Sequence, residues 1–76
     1  MVNFDIEINV CGLECPLPLF KAKKAMLNIV SGQVLHVICD DKFSCVNFPN
    51  YAESEGHDLF ETYQEEGFYH YFIRKK

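Results

Sequence analysis

The sequence lacks an apolar run long enough to cross a bilayer, and it does not begin with a basic segment followed by an apolar one. Both absences argue against membrane insertion and secretion, so we expect a cytoplasmic protein with no membrane partner. Linkers, internal repeats and low-complexity segments are also missing, and the 76 residues therefore predict one domain, residues 1–76. A domain of this size buries only about 60% of its unfolded surface, so we expect a thin stability margin.

Basic residues are scarce. Seven lysines and arginines face eleven acidic residues, giving a formal charge of -4, which disfavours nucleic acid as a direct partner. The chain carries no cofactor motif, and no Ser/His/Asp or Cys/His pairing close in sequence indicates a self-contained hydrolase. We therefore expect no cofactor. A hydrophobic content of 49% indicates a packed core rather than disorder.

Four cysteines could form two disulfides in a secreted protein, but the expected compartment favours reduced thiols, metal binding or redox use. A zinc site built from Cys11, Cys15, Cys45 and a histidine is conceivable. The spacing lacks the Cys-x-x-Cys knuckle of such sites, so we expect no metal. Cys39 is in phase with Leu35 and Val37, which predicts a place in the core.

Hydrophobic periodicity divides the chain into six elements. Asn3 to Val10 alternates as a half-buried strand does, and Pro16 to Ile29 has helical spacing that Gly32 is expected to end as a left-handed cap. Val34 to Cys39 is apolar on both faces apart from His36, as in a central strand. His36 itself, like His70, is expected on the surface of its strand.

The second half of the chain predicts a helix and a hairpin. Pro49 interrupts the pattern between Phe43 and Glu55, so we place a short helix starting near Pro49, with room for one turn ahead of it and Gly56 closing it. Asp58 to Gln64 and Phe68 to Lys75 predict two strands joined around Gly67. The predicted fold class is α/β: a two-layer βαβαββ sandwich in which a four-stranded mixed sheet carries two helices on one face.

Cys11 to Pro18, with the sequence CGLECPLP, forms the turn between the first strand and the first helix. Gly12 can adopt an unusual backbone angle there, and Cys15 falls at the expected N-cap, where the positive end of the helix dipole stabilises a thiolate. Pro16 suits the first helical position, whereas Pro18 should push Leu17 away from helical angles. These features predict a well-presented thiol with a modestly lowered pKa.

The same residues resemble the TusA/SirA-like sulfur-carrier family. The resemblance covers nearly the whole chain, and its most specific part is the Cys-Pro-x-Pro motif that begins at Cys15. It extends to further motifs along the chain: Gly32, Leu35-x-Val37, Asp40-Asp41, Pro49, Gly56-His57-x-Leu59 and Tyr69-x-Tyr71-x-Ile73-Arg74-Lys75. The sequence departs from the usual pattern at Asn9, Asn47, Lys42 and the additional Cys11.

The resemblance implies the βαβαββ sandwich and a function in sulfur transfer. It implies that Cys15 carries a persulfide sulfur, received from a cysteine desulfurase or another sulfurtransferase and passed to a sulfur-relay protein. Such relays feed tRNA thiolation, molybdenum-cofactor synthesis or dissimilatory sulfur metabolism. The implied activity is that of a sulfurtransferase-like carrier rather than a turnover enzyme.

Two alternatives remain from the residues alone. Cys11 could resolve a Cys15 persulfide by forming a disulfide, which would make the protein a thiol-disulfide redox switch; otherwise Cys11 is simply the last residue of a strand. The aromatic last strand could serve an interaction module without sulfur transfer.

The roles of His57 and of three lysines are also open. His57 is either structural or part of an acceptor surface. Lys21, Lys23 and Lys24 either attract an acidic partner or form a solvated helix face.

Overall fold

The computed structural model describes residues 3–14 and 16–76. They form a four-stranded mixed sheet in the order β1-β2-β4-β3, with two helices packed against one face, as predicted. Strands β1 and β2 are parallel, whereas β4 is antiparallel to both β2 and β3. The elements are β1 (Ile6–Asn9), α1 (Leu17–Met26), β2 (Val34–Cys39), α2 (Ser44–Glu55), β3 (Asp58–Glu65) and β4 (Phe68–Arg74).

The core lies between the helices and the sheet. Leu35, Val37 and Cys39 are fully buried on the helix-facing side of β2, which confirms the predicted core position of Cys39. The ring of Phe48 from α2 stacks on Tyr71 from β4, with centroids 4.8 Å apart. The Tyr71 hydroxyl is hydrogen-bonded to Ser44 Oγ at 2.6 Å, so the buried polar groups of this region are paired.

Helix α1 ends earlier than predicted, at Met26 instead of Ile29. The Lys75 ammonium donates to the carbonyl oxygens of Met26 and Ile29, both at 2.7 Å, and so satisfies carbonyls that further helical turns would have used. Gly32 has the expected positive φ of 88°, but it does not cap the helix. Its N–H donates to the Lys75 carbonyl and leads the chain into β2.

Helix α2 begins at Ser44, five residues before the predicted start, and Pro49 lies inside it. Asp41 organises this earlier start, since its carboxylate accepts the N–H of Phe43 at 3.0 Å and its carbonyl accepts the N–H of Ser44. Pro49 lacks the N–H that would bond to the carbonyl four residues earlier. The buried Phe48 and the bond between Ser44 and Tyr71 hold the helix in place despite that loss. Gly56 closes α2 in the left-handed conformation, as predicted.

The sheet face opposite the helices carries a cluster of rings that the sequence prediction missed. His36 was expected on the surface, but it is only 6% exposed, because its ring stacks on Phe72 at 4.3 Å and lies 5.0 Å from Phe4. Its Nδ1 is 2.9 Å from a Glu7 carboxylate oxygen, and its Nε2 is 2.9 Å from Nδ1 of the half-buried His70. Two hydrogen-bond partners therefore compensate the burial of this imidazole.

Within residues 3–14 and 16–76, no helix has the length and apolar character needed to cross a membrane.

Candidate functional site

The predicted turn between β1 and α1 contains residues 11–14 and Pro16 on either side of Cys15, and we call it the thiol loop. Its described residues lie where the parallel strands β1 and β2 both end. Ligand and reaction sites of parallel α/β units form outside the carboxyl ends of such strands, because the loops that follow them converge there. Gly12 turns the chain with φ of 85°, a conformation that disfavours residues with a side chain. Beyond the turn, Pro16 occupies the N-cap of α1. Cys15, between these two positions, lies outside the residues that the structure describes.

Asp40, the residue after β2, holds this loop. Both of its carboxylate oxygens accept the Gly12 N–H, at 3.0 and 3.1 Å. One position earlier, the Cys11 N–H donates to Asn9 Oδ1 at 3.0 Å. Two consecutive amides of the turn are thus bound by side chains, since the β1 ladder does not extend this far. The position of the chain just ahead of Cys15 is therefore set by the end of the neighbouring strand.

The start of α1 fixes the chain on the other side. The Leu17 N–H donates to the Glu14 carbonyl at 2.9 Å, and Leu17 is the first residue of the helix. The expectation that Pro18 drives Leu17 out of helical geometry is therefore wrong. Pro18 is buried in the first turn, where no partner is needed for its missing N–H, and this packing offsets the steric bias on Leu17. The predicted N-cap at Cys15 is likewise replaced by Pro16.

Cys11 is partly buried, and its environment disfavours the thiolate. The pKa of this thiol is raised, first by burial and then by the negative charge of Asp40, with a further contribution from Cys39. Its Sγ makes a weak contact with the Ile38 carbonyl at 3.9 Å. A protonated thiol is a poor nucleophile, so these surroundings count against a resolving role for Cys11.

A concavity of about 370 Å³ lies beside the loop, between the turn that follows β1 and the turn that follows β2. Its described lining residues include the carboxylates of Glu14, Asp40 and Asp41 and the ammonium of Lys42. Phe43, which is 59% exposed, provides an apolar side chain at the same place. The described surroundings of the loop are thus acidic and open to solvent, and they suit contact with another macromolecule better than enclosure of a small substrate.

The remaining candidates belong to other elements of the fold. Cys45 is exposed in the first turn of α2. In the part of the chain that the structure describes, no three His, Cys, Asp or Glu side chains are grouped as metal ligands. His57 accepts the Lys76 N–H at 3.0 Å and packs on Tyr51, which supports its structural interpretation. Lys23 lies over the rings of Phe20 and Tyr51 rather than pointing freely into solvent.

Sequence reasoning found the thiol loop but not the residue that holds it. Asp40 and Asp41 entered only as the end of the predicted strand Val34 to Cys39 and as part of the family resemblance. A physical signal was nevertheless available, because an aspartate directly after a strand parallel to β1 must lie beside the turn that follows β1.

The fold and the loop define a class of small two-layer α/β proteins with a cysteine ahead of the first helix. The family model "Sulfurtransferase TusA" matches residues 6–75. The sulfur carrier protein TusA of Allochromatium vinosum is 44% identical over 75 residues, covering 99% of both chains. A putative sulfur carrier of Bacillus subtilis, YrkI, is 37% identical over 71 residues, covering 93% of this chain and 95% of that one.

A solved structure agrees with these sequence matches. The SirA-like protein of Desulfitobacterium hafniense superposes with a TM-score of 0.82 at 30% identity, covering 92% of this chain and 96% of that one. The chain therefore belongs to the TusA family. This confirms the expected family and, with it, the expected function as a sulfur carrier.

Proposed function

We propose that Cys15 is the residue that carries the sulfur. The observation that supports this is the pair of bonds from Gly12 to Asp40, which fixes the chain three residues ahead of Cys15. On the other side, the bond from Leu17 to Glu14 and the buried Pro18 anchor the first turn of α1. A carrier must present its sulfur in turn to a donor and to an acceptor. A thiol between two anchored points at an open edge of the fold meets that need.

The transfer uses two exchanges of the same kind. The Cys15 thiolate attacks the terminal sulfur of a donor persulfide; the donor's S–S bond breaks, the donor thiolate leaves, and Cys15 becomes a persulfide. An acceptor thiolate then attacks the terminal sulfur on Cys15, and the Cys15 thiolate leaves. Each step forms one S–S bond and breaks one, so no external oxidant or reductant is needed. Neither exchange requires a general base, because the attacking sulfur is already a thiolate.

The partners follow from this chemistry. The donor is a cysteine desulfurase or another sulfurtransferase that holds a persulfide, and the acceptor is a cysteine of a sulfur-relay protein, as in tRNA thiolation. The open, acidic concavity beside the loop supports docking of macromolecules over binding of a free metabolite. We place the protein in the cytoplasm, where thiols stay reduced. Cys11, Cys39 and Cys45 are free thiols, in keeping with that placement.

Mass spectrometry of the intact protein and of its peptides tests the proposal. The wild type is incubated with a cysteine desulfurase and cysteine, alongside Cys15→Ser and Cys11→Ser. Cys45→Ser is the matched control, because Cys45 is an exposed thiol far along the chain from the loop. We expect a mass increase of one sulfur atom, located on Cys15 and absent only in Cys15→Ser. This sulfur should be transferable to the thiol of another protein.

Two results would contradict the assignment of Cys15. Sulfur found on Cys45 and lost in Cys45→Ser would move the carrier site to α2. A disulfide between Cys11 and Cys15, with no added sulfur, would indicate a redox switch built on the same fold.

A further inference from the structure

The open face of the sheet carries an exposed surface unrelated to the thiol loop. Five exposed side chains, which we call the open-face patch, surround the buried rings of His36 and Phe72: Phe4, Glu7, Glu61, Tyr63 and Glu65. Together these residues line a concavity of about 550 Å³. The helices cover the opposite face of the sheet, so nothing in the described chain closes this one.

Rings form the floor of the patch. His36 and Phe72 are stacked almost parallel, with an interplanar angle of 8°. Tyr63 stacks on His70 at 4.2 Å and lies 6.1 Å from Phe72. Phe4 and Tyr63 remain 45% and 44% exposed, so the protein holds large ring surfaces in fixed positions and leaves them in contact with water.

Carboxylates lie on both sides of these rings. The strand register puts Glu7 beside His36, His36 beside Phe72, and Phe72 beside Glu61, in one row across all four strands. Glu65 follows on β3, where it pairs with Phe68. None of the described residues lining this concavity is a lysine or an arginine. Glu7 is hydrogen-bonded to His36, so the patch combines aromatic faces with two further carboxylates, Glu61 and Glu65, that have no lysine or arginine beside them in this lining.

The chain already shows how this face binds a guanidinium. Arg74 places its guanidinium carbon 4.6 Å from the centre of the Phe60 ring, and its Nη1 lies 3.4 Å from a carboxylate oxygen of Asp58. Phe60 is a neighbour of Phe72, with centroids 6.4 Å apart. At one end of the face, a ring and a carboxylate thus hold an arginine of the chain itself. Around Tyr63, rings and carboxylates are present, and no lysine or arginine accompanies them among the described residues that line the concavity.

We propose that the open-face patch binds an arginine-bearing segment of a partner protein. The guanidinium stacks on Tyr63 and hydrogen-bonds to the carboxylates of Glu61 and Glu65, as Arg74 does with Phe60 and Asp58. A second copy of this chain fits less well, because association through this face would bring the same carboxylates together. RNA would meet the same repulsion. The inference goes beyond sulfur carriage and does not depend on the role of Cys15.

A titration monitored by NMR tests the proposal. The ¹⁵N-labelled full chain is titrated with a blocked peptide of alternating glycine and arginine, and with matched peptides that carry lysine or the uncharged analogue citrulline. We expect the arginine peptide to shift amide signals of β3, β4 and His36 but not those of α1 and α2. The lysine peptide should bind more weakly, because an ammonium cannot stack and bond in one plane, and the citrulline peptide should not bind.

Substitutions distinguish binding at the open-face patch from attraction by the net negative charge of the protein. Glu61→Gln with Glu65→Gln should weaken binding of the arginine peptide by at least about threefold, since each exposed ion pair contributes modestly. Tyr63→Ser should weaken it as well. The matched control is Glu53→Gln with Glu55→Gln, which removes the same charge from the exposed surface of α2. This control should leave the affinity for the arginine peptide within about twofold of that of the wild type.

Four outcomes would overturn the proposal: no binding of the arginine peptide, shifts centred on the helices, equal weakening by the control pair, or equal binding of the citrulline peptide. Shifts on the open face that depend on protein concentration alone would identify a second copy as the occupant. Binding of a uridine oligonucleotide at the patch would identify RNA. Loading of Cys15 with sulfur is measured separately, so neither result decides the other.

Discussion

Gly12 donates its amide N–H to both carboxylate oxygens of Asp40, although the two residues are 28 positions apart in sequence. The bond joins the turn after β1 to the end of β2 and brings the residues that precede Cys15 to the edge of the sheet. A single N–H shared between two oxygens of an ionised carboxylate is a charge-assisted interaction, stronger than a neutral one. The geometry of the loop therefore depends on a side chain outside the loop.

Gly12→Ala tests whether the loop needs its left-handed turn. Among the described residues other than its two chain neighbours, no heavy atom lies within 4 Å of a Cβ built at Gly12, so the cost comes from the backbone angle, about 1–2 kcal/mol in the free energy of unfolding. Gly67→Ala is the matched control, because Gly67 has φ of 84° and equally open surroundings in the β3–β4 hairpin. Urea unfolding should show similar losses for both, whereas slower sulfur loading should appear only in Gly12→Ala. Equal loading rates would mean that the turn does not position Cys15.

Asp40→Ala removes the acceptor and leaves the Gly12 N–H to water. We expect a loss of about 1 kcal/mol in the free energy of unfolding, since the bond is charged but solvent-exposed. We also expect faster hydrogen exchange at the Gly12 amide and slower sulfur loading. Glu53→Gln, a change of an exposed carboxylate on α2, serves as control. Unchanged exchange at Gly12 would show that the bond to Asp40 does not hold the loop in solution.

The raised pKa of Cys11 predicts slow alkylation. In a Cys15→Ser background, iodoacetamide should modify the exposed Cys45 before Cys11 at neutral pH, because Cys11 is partly buried and its thiolate is disfavoured. Adding Asp40→Asn removes the nearby negative charge, so the Cys11 pKa should fall and its alkylation at fixed pH should accelerate. Peptide mass mapping over time gives both rates. Faster alkylation of Cys11 than of Cys45 in the Cys15→Ser protein would contradict the described environment of Cys11 and would support a resolving role for this thiol.

Much of the fold could be predicted because its signals are local. β2 has the predicted bounds, Val34–Cys39, since a strand buried on both faces is a nearly continuous apolar run, interrupted here only by His36. Cys39 could be placed in the core from its phase with Leu35. Helix ends were less predictable. Pro49 is a strong local signal for a helix boundary and predicts a start there, but the burial of Phe48 and the bond between Ser44 and Tyr71 stabilise the helix ahead of it. Neither contact can be inferred from the local sequence.

The features missed are those that join distant parts of the sequence. His36 looks like a surface residue on its own strand and becomes buried only because Phe72 pairs beside it on β4 and Phe4 covers it. Asp40 looks like a strand-ending residue until β1 is placed in parallel register with β2. The motif at Cys15 could be recognised from sequence because it is contiguous. The side chain that holds its loop could not be recognised in the same way.

Lys75 offers a test of what ends α1. Its ammonium binds the carbonyls of Met26 and Ile29, so Lys75→Met should cost about 1–2 kcal/mol in the free energy of unfolding. The substitution should also raise the rate of amide hydrogen exchange in residues 27–32. Lys21→Met is the matched control, because Lys21 is an exposed lysine within the same helix. An equal effect of the two substitutions would show that the C-terminal bonds of Lys75 do not stabilise the helix end.

The pKa of His36 predicts how stability depends on pH. Burial lowers this pKa below the usual value of 6.5; Glu7 opposes the shift, and His70 adds to it. The unfolded chain therefore takes up a proton near pH 6.5, while the folded protein resists protonation until a lower pH. The contribution of His36 is present above pH 6.5 and is lost as the pH falls from there through the lowered folded-state pKa.

Urea unfolding between pH 7.5 and 5.5, an interval chosen to span the ordinary histidine pKa of about 6.5, measures this contribution. The wild type should lose more stability across the interval than His36→Leu, which has no imidazole to protonate at this position. His57→Gln is the control, because it removes a histidine that caps the chain end rather than one buried between rings. A slope for His36→Leu as steep as that of the wild type would mean that another group carries the pH dependence. A flatter slope in that variant alone would assign it to the imidazole between Glu7 and His70.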